Sequence, residues 1–255
     1  MLAAERHSKI IEIINHDRIV KVAELSRVLH TTETTVRRDL DELEKQKKVR
    51  RIHGGAMTLN PTSKPFSEQE LRILCMNEKQ KIAKAAYTFV DDNDALLLDA
   101  STTAQELAKL IAAGNRKHIS LITNSFNIIS YLMHTPHVRV IHTGGQLLSE
   151  MNYSIGVVTE NMIRDLKVDK CFLGTNGVDP DYGYSVPTFE DASVKKCMIA
   201  AAKQRFILAD HTKFSEAYMG KFADFTGEID YLITDNETND LDLDIYETNV
   251  NLVLA

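Results

Sequence analysis

Cysteine is scarce in this chain of 255 residues: Cys75, Cys171 and Cys197 are odd in number and share no C-x-x-C spacing. That excludes a disulfide framework and gives no sign of a zinc site. Long apolar runs are missing too. Stretches such as Ala95–Leu98 are far shorter than the roughly 18 residues of a membrane span. The opening Met-Leu-Ala-Ala-Glu-Arg-His alternates charge and leads into no apolar signal region, so a reducing cytoplasm is the expected setting, with no membrane partner. Nucleotide and hydrolase signatures are also lacking: there is no G-x-G-x-x-G, no G-x-x-x-x-G-K-[ST] and no G-x-S-x-G. None of the nine histidines forms H-E-x-x-H, and His134 and His137 have no carboxylate or cysteine nearby in the chain, so neither a metal nor a cofactor is expected. What is present is ordinary globular composition, 44% hydrophobic and 26% charged, enough for one large domain or two unequal ones.

The net charge of −6 is unevenly spread. Residues 1–57 carry 12 basic against 9 acidic side chains, and the remainder 18 against 27. A small basic module facing a polyanion and a larger acidic one facing something else fit that division.

Three short helical patterns fill the basic part. His7, Ile10, Ile11 and Ile14 recur at helical spacing, then Val22, Leu25, Val28 and Leu29, then Val36, Leu40 and Leu43. Only His30-Thr31 separates the second from the third, and Thr32 is an apt N-cap. Two helices so tightly joined predict a helix-turn-helix, although its turn lacks the common glycine. Opposite the buried stripe of the third helix lie Thr34, Arg38, Asp41 and Lys45, flanked by Thr35 and Arg37. Hydroxyls and guanidinia on its first turns suit entry into a DNA groove, where Arg grips guanine O6 and N7. The competing reading is a solvated helix with Arg37–Asp41 and Arg38–Glu42 ion pairs. Lys45, Lys47, Lys48, Arg50 and Arg51 then lead into Ile52-His53-Gly54-Gly55, which predicts a two-stranded wing on the phosphate backbone. The candidate DNA contacts are Thr34, Thr35, Arg37, Arg38, Lys48, Arg50, Arg51 and His53.

The stretch Thr34-Thr35-Val36-Arg37-Arg38-Asp39-Leu40-Asp41-Glu42-Leu43-Glu44, followed by Val49-Arg50-Arg51-Ile52-His53-Gly54-Gly55-Ala56, resembles the signature of the DeoR-type winged-helix repressors. The resemblance implies a bacterial regulator that binds operator DNA and represses sugar-utilisation genes.

Residues 58–75, with Pro61 and Pro65 among small polar residues, read as a linker and connecting helix between domains at 1–57 and 76–255. Beyond it, apolar runs alternate with helical patterns, the signal of an open, mostly parallel α/β sheet. Each run ends in small polar residues: Asp99-Ala100-Ser101-Thr102-Thr103, Thr123-Asn124-Ser125, His142-Thr143-Gly144-Gly145, Gly174-Thr175-Asn176-Gly177 and Asp210-His211-Thr212-Lys213. Such ends fall on the carboxyl edge of a parallel sheet, where ligands bind. A polyhydroxylated phosphate ester suits that lining. Ser101, Thr102 and Thr103 open a helix whose hydroxyls and N–H groups would hold the phosphate, Asp99 would accept from sugar hydroxyls, and Lys213 would offset phosphate charge. The competing reading is that these residues cap helices and turn corners.

This part also resembles the DeoR family, in Leu97 to Thr103, Thr123 to Ser125, Thr143 to Gly145, Phe172 to Gly177 and Lys195 to Ile199. Ser101 stands where the family's D-A-G-T-T has glycine. The domain is similar to the ribose-5-phosphate isomerase and glucosamine-phosphate deaminase fold, which implies a sugar-phosphate sensor. The isomerases carry D-G-A-D where this chain reads Leu173-Gly174-Thr175-Asn176, so both carboxylates of that motif are missing. Glu190 or Asp191, Lys195 and the Asp210 to Lys213 stretch remain. A sensor keeps binding groups and loses acid–base groups; the alternative is an isomerase or deaminase-like enzyme with an accessory nucleic-acid-binding domain. The expected effector contacts are Asp99, Ser101, Thr102, Thr103, Asn124, Ser125, Gly144, Gly145, Gly174, Asn176, Gly177, Asp191, Lys195 and Lys213. Palindromic half-sites call for a homodimer or homotetramer.

Overall fold

The computed structural model describes residues 2–46, 48–52, 54–58, 70, 74–237 and 243–255. Its contacts divide into two compact units, Met1–Cys75 and Met76–Ala255.

In the first unit, α1 (Ala3–Asp17) buries Ile10 and Ile14, α2 (Val22–Val28) buries Val22 and Leu25, and α3 (Glu33–Lys45) buries Val36, Leu40 and Leu43. Val28, expected in the buried stripe of α2, is 59% exposed. At 100° per residue it sits about 60° beyond Leu25, past the edge of the face that Val22, Leu25 and Leu29 share. The turn after α2 closes with Thr31 N donating to Ser26 O (3.1 Å) and His30 N to Arg27 O (3.4 Å). His30 adopts φ +48°, the left-handed conformation that glycine usually supplies at this place. Thr32 then caps α3, its side chain accepting from Thr35 N at 3.2 Å.

The wing is β2 (Arg50–Ile52) paired antiparallel with β3 (Gly55–Met57), the chain reversing through Gly54 at φ +76°. A third strand, β1 (Ile19–Lys21), pairs with the other edge of β3. The expected two-stranded wing is thus three-stranded, because a strand of three residues has too short a period to stand out in sequence.

The second unit is built on seven parallel strands in the order β15-β14-β12-β9-β4-β5-β6. They are β4 (Ala95–Leu98), β5 (Ile119–Thr123), β6 (Val138–His142), β9 (Val168–Gly174), β12 (Ala202–Leu208), β14 (Tyr231–Thr234) and β15 (Asn251–Leu254). Residues alternate across the sheet. Leu96, Leu98, Phe172, Phe206 and Leu208 meet α4 (Met76–Tyr87), α5 (Thr102–Ala113) and α6 (Phe126–Leu132) in one apolar layer. Leu97, Cys171, Leu173 and Ile207 form the opposite layer with residues of α7 (Val157–Arg164) and α8 (Phe189–Ala201). Two antiparallel additions complete the unit: a hairpin of β7 (Gln146–Leu148) and β8 (Tyr153–Ile155), and a sheet of β10 (Gly177–Asp179), β11 (Gly183–Val186) and β13 (Gly220–Ala223). A short α9 (Leu243–Glu247) precedes β15.

From β4 the chain builds outward through β5 and β6, then returns to the other side of β4 as β9 and builds the other way. The strand order therefore reverses between β4 and β9. In open α/β sheets that switch point opens the crevice in which ligands sit.

Candidate nucleic-acid interface and effector crevice

On α3, Thr34, Arg37 and Arg38 are exposed while Thr35 is half-buried, its hydroxyl 2.9 Å from that of Thr32. Arg37 pairs backward with Glu33 at 3.0 Å rather than forward with Asp41. Arg38 has no ion-pair or hydrogen-bond partner among the described residues, so neither forward pair of the solvated-helix reading forms there. Asp41 instead meets Arg51 Nε at 3.1 Å, and the Arg51 guanidinium also donates to Gly55 O at 3.3 Å. Arg51 thereby ties the wing to α3 rather than standing free for phosphate. Lys48 is exposed, Arg50 is half-buried, and His53 lies outside the described residues.

The next residue of α3, Asp39, turns to the buried face and is only 5% exposed. Arg6 of α1 holds both its carboxylate oxygens, one at 2.8 Å, and His7 Nε2 lies 3.1 Å away. Burial opposes the charge on Asp39, but these hydrogen bonds outweigh it and keep the carboxyl below its ordinary range. Asp39 fixes the roll of α3 against α1, which decides the direction in which Arg37 and Arg38 face. Sequence reading placed His7 in an apolar stripe and missed this role.

In the second unit, the switch point gathers Asp99, Ser101, Gly174 and Lys195. Asp99 Oδ1 accepts from Ser101 N (3.0 Å) and Ser101 Oγ (2.6 Å); Oδ2 accepts from Gly174 N (2.8 Å) and Lys195 Nζ. Lys195 also donates to Gly174 O at 3.1 Å. With four internal donors, Asp99 joins β4, β9 and α8 into one frame, and has no lone pair left for the sugar hydroxyls expected of it. Gly174 is required by closeness: a Cβ there would lie 2.3 Å from the Ser101 Cβ. Ser101 is likewise spent, since its hydroxyl caps α5 by accepting from Ala104 N at 3.2 Å. Thr102 and Thr103 are not: their hydroxyls and amides have no partner among the described residues. Two free amides and two free hydroxyls thus open the first turn of a 12-residue helix at the crevice.

At the end of β5, Asn124 Nδ2 donates to Ser154 O (2.9 Å) and Ser154 N to Asn124 O (2.8 Å), binding the β7–β8 hairpin to the crevice wall. The Asn124 Oδ1 and Ser154 Oγ atoms are buried without a partner among the described residues. Ser125 caps α6. Gly144 and Gly145 serve the turn after β6: Gly144 O accepts from Thr159 Oγ1 at 2.7 Å, and Gly145 has φ +115° with the same hydroxyl where a Cβ would stand. Asn176 is half-buried with a free side chain among the described residues, whereas Gly177 lies against the Glu216 carbonyl.

At the end of β12, Lys213 Nζ lies 3.8 Å from the buried Asp210. Burial opposes ionisation of Asp210, yet Lys213, Lys79 and the Thr212 hydrogen bonds prevail and bring it down to about 2. Lys79, a buried cation of α4, was missed because it lies more than a hundred residues away in sequence. The same strand end holds His211 Nδ1 at 2.8 Å from Asp235, with Glu237 close enough that one ligand atom from each lies within 4.8 Å of the others. Motif spacing could not reveal this gathering. Its groups already satisfy one another, with Asp235 accepting from His211 N (2.8 Å) and Glu237 N (3.1 Å).

Residues 6–62 match the family model of the DeoR-like helix-turn-helix domain, and residues 75–236 that of the DeoR C terminal sensor domain. The chain is 36% identical over 236 residues to an uncharacterized HTH-type transcriptional regulator, YulB, of Bacillus subtilis (strain 168), covering 92% of this chain and 90% of that protein. It is 30% identical over 241 residues to the lactose phosphotransferase system repressor of Staphylococcus epidermidis, covering 93% of each. Among solved structures it is similar to ribose 5-phosphate isomerase A from Methanocaldococcus jannaschii, at TM-score 0.41 and 19% identity over 55% of either chain. Two matched domains in this order, and relatives spanning nearly its whole length, show that the chain belongs to the DeoR family of DNA-binding transcriptional regulators, which are not enzymes.

Proposed function

We propose that this protein represses sugar-utilisation genes under the control of a phosphorylated sugar bound at the switch point of the sheet. The free amides and hydroxyls of Thr102 and Thr103 carry this reading, because an anion at a helix N-terminus gains both hydrogen bonds and the favourable end of the helix dipole. Lys213 supplies a cation at the same carboxyl edge. The loss of both carboxylates of the isomerase motif, at Leu173 and Asn176, leaves binding without proton transfer. A relative named for repression of a lactose phosphotransferase system supports the sugar connection.

In this reading the DNA contacts lie within residues 1–57, centred on Arg38, Arg37 and Thr34, with Lys48 and Arg50 on the backbone. Residues 58–75 connect that module to an effector domain at 76–255. Two or four copies engage paired half-sites, and effector binding changes how two helix-turn-helix modules are spaced. The test is a thermal-shift screen of the intact protein against sugar phosphates and their unphosphorylated parents, since stabilisation follows affinity. Stabilisation by phosphorylated members alone is the expected result. Equal stabilisation by the free sugars would remove the phosphate site.

A further inference from the structure

Two polar groups of the crevice are used by no part of its internal frame. Asp191 lies four residues before Lys195 on α8, so both side chains share one face of that helix. Lys195 extends from this face onto Asp99 and the Gly174 carbonyl. The Asp191 amide is taken by the Thr188 cap at 3.3 Å, but its carboxylate has no hydrogen-bond partner among the described residues. Burial pushes that carboxyl up, and Asp99 adds to the effect against the pull of Lys195.

Tyr153 is the second group. It is only 8% exposed, on a strand bridged to Ser125 and laced to Asn124, and its hydroxyl has no partner among the described residues. Its strand packs against α8, the helix that carries Asp191 and Lys195, and burial raises the hydroxyl, with the charges of Asp191, Asp99 and Glu190 adding to the effect. Asp99 and Asp191 thus belong to this end, with the exposed Glu190 next to Asp191 in the chain, and Lys195 is the cation bonded to Asp99.

We infer that Asp191 and Tyr153 read the non-phosphorylated end of the effector and select phosphate monoesters whose remainder is neutral or cationic and rich in hydrogen-bond donors. Bisphosphates and phosphorylated sugar acids bring a second anion to a site that already holds an excess of negative charge, and are rejected. Such discrimination by like-charge repulsion needs no additional contact with the preferred ligand. The inference rests on the sugar-phosphate reading above and adds the sign of charge that the other end must carry.

The test uses the full chain and titration calorimetry with glucose 6-phosphate, galactose 6-phosphate, fructose 1-phosphate, glucosamine 6-phosphate, 6-phosphogluconate and fructose 1,6-bisphosphate. At least one neutral or amino monophosphate is expected to bind at least tenfold more tightly than the acid and the bisphosphate. Asp191→Asn, nearly isosteric, should narrow that gap at least fivefold. Tyr153→Phe should weaken the preferred ligand several-fold while the gap persists. Melting temperatures within a few degrees of wild type certify both variants. Equal binding of the acid or the bisphosphate by wild type, or an unchanged gap in Asp191→Asn, overturns this inference alone. Binding by none of the six overturns the sugar-phosphate reading, and this inference with it.

Discussion

Asp39 and Arg38 are neighbours in sequence with opposite tasks, one turned inward to Arg6 and His7, the other outward without a partner. Removing one member of a buried ion pair leaves an uncompensated charge, so Asp39→Asn should destabilise the helix-turn-helix unit by about 3–5 kcal/mol. Denaturant unfolding followed on that unit would show it; a change below about 1 kcal/mol would mean the pair contributes little. Arg38→Ala should leave stability unaltered and weaken operator binding by about 1–3 kcal/mol, relaxing sequence preference, as loss of a base contact does. Arg50→Ala should instead weaken all DNA alike and lower the salt dependence. Arg51 belongs with neither, because its side chain is engaged with Asp41 and Gly55; Arg51→Ala should act chiefly by loosening the wing. Titrations of operator and unrelated duplex at two salt concentrations separate the three outcomes.

At the scale of elements, the α2–α3 turn is built with a non-glycine residue in a left-handed conformation. That conformation costs an L-residue about 1–2 kcal/mol, part of which glycine gives back in chain entropy. His30→Gly should therefore stabilise the unit by about 0.5–1 kcal/mol, read as a higher melting temperature; a lower one would reveal a contact made by the imidazole. This turn also marks what can be read without a structure. Helix spacing and the Thr32 cap are local, so α2, α3 and their short connection are legible in sequence. So are the five polar strand ends, because each follows an apolar run directly. Roles that depend on distant pairing are hidden: Asp39 with Arg6 across 33 residues, Asp99 with Lys195 across 96. Asp99 and Ser101 were therefore expected to touch the effector, although their hydrogen bonds are consumed in holding the crevice open. Tyr153 was invisible for a further reason, since its three-residue strand has no periodicity to flag it.

For the molecule as a whole, ionised carboxylates in the sensor domain make stability dependent on pH in a predictable direction. Asp210 ionises at about 2 when folded, below its ordinary value of about 4 in the unfolded chain. Its contribution is complete above the unfolded value and is lost as pH falls from about 4 to about 2. The amount is about 2 kcal/mol. Denaturant midpoints measured across this window should fall less steeply for Asp210→Asn than for wild type; parallel curves would locate the acid sensitivity elsewhere.

Control of DNA binding by a phosphate ester at the first turn of α5 is the central claim, and Thr102→Asp probes it most directly. The substitution sets a carboxylate against the proposed phosphate and leaves residues 1–57 unaltered. Operator binding is to be titrated with the sugar phosphate that stabilises the wild-type protein, for both proteins under the same conditions. The account predicts that Thr102→Asp binds operator as wild type does without effector, and that adding the effector at any concentration then changes nothing. A wild-type effector response in Thr102→Asp would contradict it, and would return Thr102 and Thr103 to the role of simple helix openers.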